Sequence, residues 1–85
     1  MKVLIPSALR SYTESAHSDV CGTTLAEALA DLDRQYPGIR FRMIDEQDEV
    51  RRHIRIFIDG EQVYTSSRPL TGVEELVIVQ AVSGG

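Results

Sequence analysis

The chain carries one cysteine, Cys21, and that scarcity removes several functions at once. A single thiol closes no internal disulfide and supplies no cysteine-rich metal site. It also excludes an iron–sulfur cluster, which takes several thiolates. As a nucleophile, Cys21 has no base near it in sequence except His17, four residues earlier. On a strand that spacing leaves the two roughly 13 Å apart. A structural thiol, buried or half-buried, is the preferred reading. His53 is equally isolated, and no spacing resembles a zinc site. Catalytic clusters of the Ser/His/Asp or Cys/His kind are missing too, so neither a catalytic residue nor a metal ligand is assigned.

Long apolar runs are also lacking. Lys2 is followed by only three apolar residues before Pro6, which reads as neither a signal peptide nor a membrane span. A cytoplasmic location is expected, with no membrane partner. Basic residues are in deficit: nine Lys and Arg against thirteen Asp and Glu give a net charge of −4, which argues against nucleic acid. Arg51, Arg52 and Arg55 do cluster, but Asp45, Glu46, Asp48 and Glu49 stand just before them. That stretch reads first as a solvated loop of mixed charge and second as a local basic patch for a protein partner. No repeat or low-complexity segment occurs.

What the chain does have suits one compact domain spanning residues 1–85. At this length a fold buries only about 60–65% of its unfolded surface, so the core must be economical. Met1 to Ile5 predicts a first strand, with Val3 and Ile5 sharing a face. A returning strand is expected around His17 to Cys21, with the polar Ser11 to Ser18 stretch as the turn. Thr24-Leu25-Ala26-Glu27 matches a capping box, and Leu25, Ala28, Leu29, Leu32 and Tyr36 follow at helical spacing. Pro37-Gly38 should stop that helix. Residues 39–52 read as an irregular connection with apolar anchors and room for a short helical turn. Ile54, Ile56 and Ile58 alternate with Arg55 and Phe57, and Asp59-Gly60 signals a hairpin into Gln62-Val63-Tyr64. A final strand is expected from Leu76 to about Val82. One amphipathic helix must then cover one mixed sheet of four to five strands, with the apolar first and last strands as a central parallel pair. This is an α+β, β-grasp (ubiquitin-like) arrangement.

The chain ends Ser83-Gly84-Gly85, directly after its most apolar strand. Glycine usage of about 7% makes a terminal pair a roughly one-in-200 event. Two glycines add no packing and resist ordering, so residues 83–85 are expected to form a flexible tail. A frayed end or an appended remnant is the bland alternative.

With these features in place, the chain resembles the MoaD/ThiS-type sulfur carriers, prokaryotic relatives of ubiquitin, over essentially its whole length. The resemblance is carried by Ala8-Leu9-Arg10, the Thr24-Leu25 helix start, Tyr36-Pro37-Gly38, Ile56-Phe57-Ile58-Asp59-Gly60-Glu61, Glu75-Leu76-Val77-Ile78 and Gly84-Gly85. The longer 39–52 connection is more like the cysteine-biosynthesis branch. Two departures are visible: Gln80 stands where members often carry proline, and Ser83 where alanine is frequent.

The resemblance implies a protein cosubstrate rather than an enzyme. An E1-like adenylyltransferase would activate the Gly85 carboxylate with ATP. A sulfur donor (a sulfurtransferase or cysteine desulfurase) would convert it to a thiocarboxylate, a C-terminal 1-thioglycine. A sulfur-accepting synthase would then take the sulfur. No cofactor would be bound to the carrier itself. A metalloprotease that exposes the diglycine from a longer precursor is a further family variation. The product stays open among molybdopterin, thiamin thiazole, cysteine, a thiolated tRNA base and a sulfur-containing secondary metabolite.

Alternation on the two apolar strands predicts a partner-facing patch of Phe57, Val77 and Val79, rimmed by Arg55 and continued by Val82 and Ser83 toward Gly84 and Gly85. Burial of this face under the 39–52 connection is the competing structural reading. Two rival functions remain at this stage. One is a ubiquitin-like modifier that forms isopeptide bonds through Gly85. The other is a β-grasp binding module in which the diglycine is incidental.

Overall fold

The computed structural model describes residues 1–80; residues 81–85 lie outside that description. Five strands form one sheet in the order β2-β1-β5-β3-β4. They are β1 (Lys2–Leu4), β2 (His17–Asp19), β3 (Ile54–Ile58), β4 (Glu61–Val63) and β5 (Glu75–Gln80). Helices are α1 (Arg10–Thr13), preceded by a 3-10 turn over Ser7–Leu9, then α2 (Leu25–Gln35) and α3 (Ile39–Met43).

β5 occupies the middle of the sheet. It pairs parallel with β1, placing Leu4 opposite Val77, and antiparallel with β3, placing Ile56 opposite Ile78 and Ile54 opposite Gln80. The parallel pair of first and last strands is the one the sequence predicts, and the topology is that of a β-grasp fold. β3 and β4 join through Asp59-Gly60, both in left-handed conformation at φ 49° and 88°. Two consecutive positive φ values give the turn whose twist matches flanking strands, and Asp-Gly tolerates them better than most pairs.

Strand alternation sends Val3, Ile54, Ile56, Ile58, Leu76 and Ile78 inward, all at most 3% exposed. Against them lies the stripe Leu25, Ala28, Leu29 and Leu32 of α2. The capping box differs from expectation in one bond. Thr24 Oγ1 accepts from the Glu27 amide at 3.2 Å, but Glu27 Oε1 returns to the amide and hydroxyl of Thr23, each at 2.8 Å. Gly22 lets the incoming chain lie against this first turn: a Cβ there would sit 2.6 Å from the backbone nitrogen of Ala28.

Two connections and one strand end depart from the sequence reading. The β1–β2 link is helical rather than a polar turn, because Leu9 inserts into the core and is only 4% exposed. β2 ends at Asp19 rather than Cys21; Cys21 is exposed, and its amide donates to Asp31 Oδ2 at 3.0 Å. Pro37-Gly38 stops α2 as expected, and α3 is the short helical turn for which 39–52 left room, with the amides of Gly38 and Arg40 donating to Asp33 Oδ1 at 3.0 and 3.1 Å. The charge run beyond α3 is ordered, not irregular. Ile44 bridges to Val50, Asp45 Oδ1 accepts from the amides of Gln47 and Glu49, and the acidic tip leans on the β4 side through Ser66, which donates to the Asp48 carbonyl.

Candidate functional site

The outer face of the sheet presents a cross-strand row built by register alone. His17 stands opposite Leu4, Leu4 opposite Val77, Val77 opposite Phe57, and Phe57 opposite Gln62. Two residues further toward the end of β5, Arg55 stands opposite Val79. The structure therefore brings Phe57, Val77, Val79 and Arg55 onto one face. Val79 is 41% exposed, whereas Leu4, Phe57, Val77 and Arg55 are half-buried by their neighbours. Leu4 belongs to this row and escaped the sequence reading, although the alternation that turns Val3 and Ile5 inward also turns Leu4 outward. The 39–52 connection sends Ile39, Met43 and Ile44 into the core with α2, each 0% exposed. Val82, Ser83, Gly84 and Gly85 lie outside the described residues.

Next to the end of β5 the side chains are cationic and aromatic. One shallow depression is lined by Gly38, Phe41, Arg42, Arg51 and His53. A second, sharing Arg42 and His53, reaches Tyr12 and Gln80. Arg42 Nε donates to the Tyr12 hydroxyl at 2.8 Å, and that bond raises the guanidinium pKa further above its ordinary value. Arg51 Nε donates to the Phe41 carbonyl at 2.7 Å, with its guanidinium 4.7 Å from the centroid of the Phe41 ring. These contacts use neutral acceptors. The ion pairs among the described residues lie elsewhere: Arg34–Asp31, Arg40–Asp48 and Arg68–Glu61.

Carboxylates gather at the opposite end of β5. Glu74 and Glu75 open the strand, Lys2 stands between Glu75 and Asp19 in register, and the Asp59 amide donates to the Glu75 carbonyl. On α2, Arg34 and then the Cys21 amide hold the Asp31 carboxyl below its usual range, and the Thr23 amide and hydroxyl do the same for Glu27. Among the described residues, no group of three His, Cys, Asp or Glu side chains is placed to hold a metal ion. Nor is any helix long and apolar enough to cross a membrane.

A model of the ThiS family matches residues 3–85, nearly the whole chain and the diglycine with it. The chain belongs to the ThiS family. Among relatives of this ThiS-family protein is the sulfur carrier protein CysO of Mycobacterium tuberculosis, 32% identical over 89 residues, covering 98% of this chain and 96% of the relative. The fold is similar to that in the Amycolatopsis orientalis BexX/CysO complex, with a TM-score of 0.89, 27% identity and coverage of 99% and 98%. It is also similar to SAMP1 of Haloferax volcanii, with a TM-score of 0.76, 26% identity and coverage of 100% and 98%. The ThiS-family chain is thus a ubiquitin-like protein of the sulfur-carrier kind, on the CysO side of the family, and a carrier rather than a catalyst.

Proposed function

We propose that this protein carries sulfur on the carboxylate of Gly85. The observation that bears most weight is the position of β5: it is the central strand, it is described to Gln80, next to the Val79–Arg55 pair, and residues 81–85 come after it in sequence. Five extended residues reach at most roughly 17 Å, far enough to enter a narrow channel while the sheet stays outside. An E1-like adenylyltransferase supplies ATP. A Gly85 carboxylate oxygen attacks the α-phosphorus, forming the acyl adenylate and releasing pyrophosphate. Hydrosulfide then attacks the carbonyl carbon and displaces AMP, leaving a thiocarboxylate and releasing a proton. Glycine suits the reacting position because a Cβ would crowd the carbonyl carbon during both attacks.

The carrier contributes docking and delivery; catalytic groups come from its partners. The outer row Leu4, Val77 and Phe57, with Val79 and Arg55, is the apolar grip for them. Likeness to CysO favours a synthase of cysteine biosynthesis as acceptor, and the BexX/CysO complex is a precedent for a CysO-type carrier seated on another protein. Intact-protein mass after incubation with an E1-like enzyme, ATP and a sulfide source tests the reading. One oxygen exchanged for one sulfur is expected, and none in a chain lacking Gly85. Unchanged mass for the intact chain overturns it.

Likeness to SAMP1, a small archaeal modifier protein, supports a second reading in which activated Gly85 acylates lysines on other proteins. A ladder of lysine conjugates in cells, without free thiocarboxylate, would favour the modifier.

A further inference from the structure

The arginines at the end of β5 pose a separate question, because the molecule is acidic overall yet cationic at the end that residues 81–85 follow. Register fixes that placement. Ile54 lies opposite Gln80 and Arg55 opposite Val79, so His53, just ahead of β3, stands beside Gln80, with Arg51 and Arg52 in the turn that leads to it. α3 adds Phe41, 56% exposed, and Arg42 beside Arg51 and His53, and Arg52 lines the adjoining depression with Arg51 and Arg55. Arg42, Arg51, Arg52 and Arg55 are in no ion pair among the described residues, although the preceding segment is rich in acids. The hairpin at Ile44–Val50 explains why. It turns its acidic tip toward Ser66, and Asp48 pairs with Arg40 instead, 2.9 Å away. The stretch that alternates in charge along the sequence is sorted in space, with acids to one side and arginines to the other.

We propose that the shelf of Phe41, Arg42, Arg51, Arg52 and His53 docks on an acidic surface bordering the channel of the enzyme that receives the tail. This rests on the carrier reading above. Charge complementarity identifies the partner surface. Planar guanidinium groups held by neutral oxygens keep donors free for carboxylates, and Arg with exposed aromatics is the composition of interface anchors. The carboxylates Asp19, Asp59, Glu74 and Glu75 lie at the other end of β5, five strand steps or roughly 17 Å away. An acidic partner surface repels that end and attracts the shelf, so encounters are oriented with residues 81–85 leading.

Two measurements test this. In the first, the labelled protein is titrated with hexaglutamate and amide shifts are followed by NMR. Shifts confined to residues around 12, 41–42 and 51–55, and abolished by 0.5 M salt, are expected; shifts centred on Lys2 or Arg68 overturn the proposal. In the second, activation by the E1-like enzyme is compared for Arg52→Glu, whose side chain makes no hydrogen bond among the described residues, and for Lys2→Glu at the opposite end. A fall of about tenfold in kcat/KM for Arg52→Glu is expected, with kcat retained and Lys2→Glu near wild type. Equal, salt-insensitive kcat/KM for both variants overturns the proposal. Failure of the unaltered protein to be activated at all refutes the carrier reading instead, and the NMR titration still decides the shelf.

Discussion

Substituting two adjacent residues of β3 should separate folding from docking. Ile56 is 0% exposed and faces α2, whereas Phe57 is half-buried on the outer face opposite Val77 and Gln62. Ile56→Ala leaves a cavity and costs about 2–5 kcal/mol. For 85 residues the whole stability is about 4–13 kcal/mol, so this variant should lose roughly 8–40 °C in Tm or fail to fold. Phe57→Ser forfeits roughly half the burial value of a phenylalanine, about 1 kcal/mol, which corresponds to a Tm lower by about 4–8 °C. If Phe57 anchors the activating enzyme, its truncation removes about 2 kcal/mol of binding, near a thirtyfold loss in kcat/KM. The assay is thiocarboxylate formation by intact mass at temperatures well below both melting points. Near-wild-type activation of Phe57→Ser, or a Tm drop as large as that of Ile56→Ala, would refute the assignment of Phe57 to a docking face.

Gly22→Ala should cost more than about 1 kcal/mol, because the new methyl meets the backbone of Glu27 and Ala28, which yields only if α2 shifts; urea unfolding reads this directly. Gly60→Ala meets no neighbour but must hold a positive φ, so a loss of about 1 kcal/mol without a change in the NMR spectrum of the core is expected. Asp33→Ala removes the acceptor for two amides at the start of α3 and should raise hydrogen exchange at Gly38 and Arg40 before any global loss. Glu27 and Asp31 are held ionised in the fold, so their contribution is full above the ordinary carboxylate range and is lost as pH falls through their lowered folded values. The double variant Glu27→Gln/Asp31→Asn should therefore show a flatter decline of the urea midpoint below pH 4.5; parallel curves for both proteins would contradict it.

Local chemistry explains which parts of this fold were legible in the chain. Ile54, Ile56 and Ile58 announce β3 by alternation, Asp59-Gly60 announces its turn, and the leucine stripe announces α2, because each signal acts within a few residues. The parallel pairing of β1 with β5 followed from the apolarity of both strands. The helical β1–β2 link was not legible: Ser7 to Thr13 is too short to display a period, and its conformation is decided by the burial of Leu9. Nor was the hairpin at Ile44–Val50, since Val50 and Asp48 are held by Tyr64 and Ser66, distant in sequence. On the outer face of the sheet, alternation located Phe57, Val77, Val79 and Arg55, while the arginine cluster needed the fold to part Arg51 and Arg52 from the acids beside them.

The central place of β5 bears on how the protein is made. Every other described strand leaves the ribosome first and can pair as β1 with β2 and β3 with β4, but only β5 joins the two pairs into one sheet. A chain interrupted before β5 therefore lacks the middle of its sheet. It is left with two unjoined strand pairs and an open core, a substrate for proteases rather than a folded molecule.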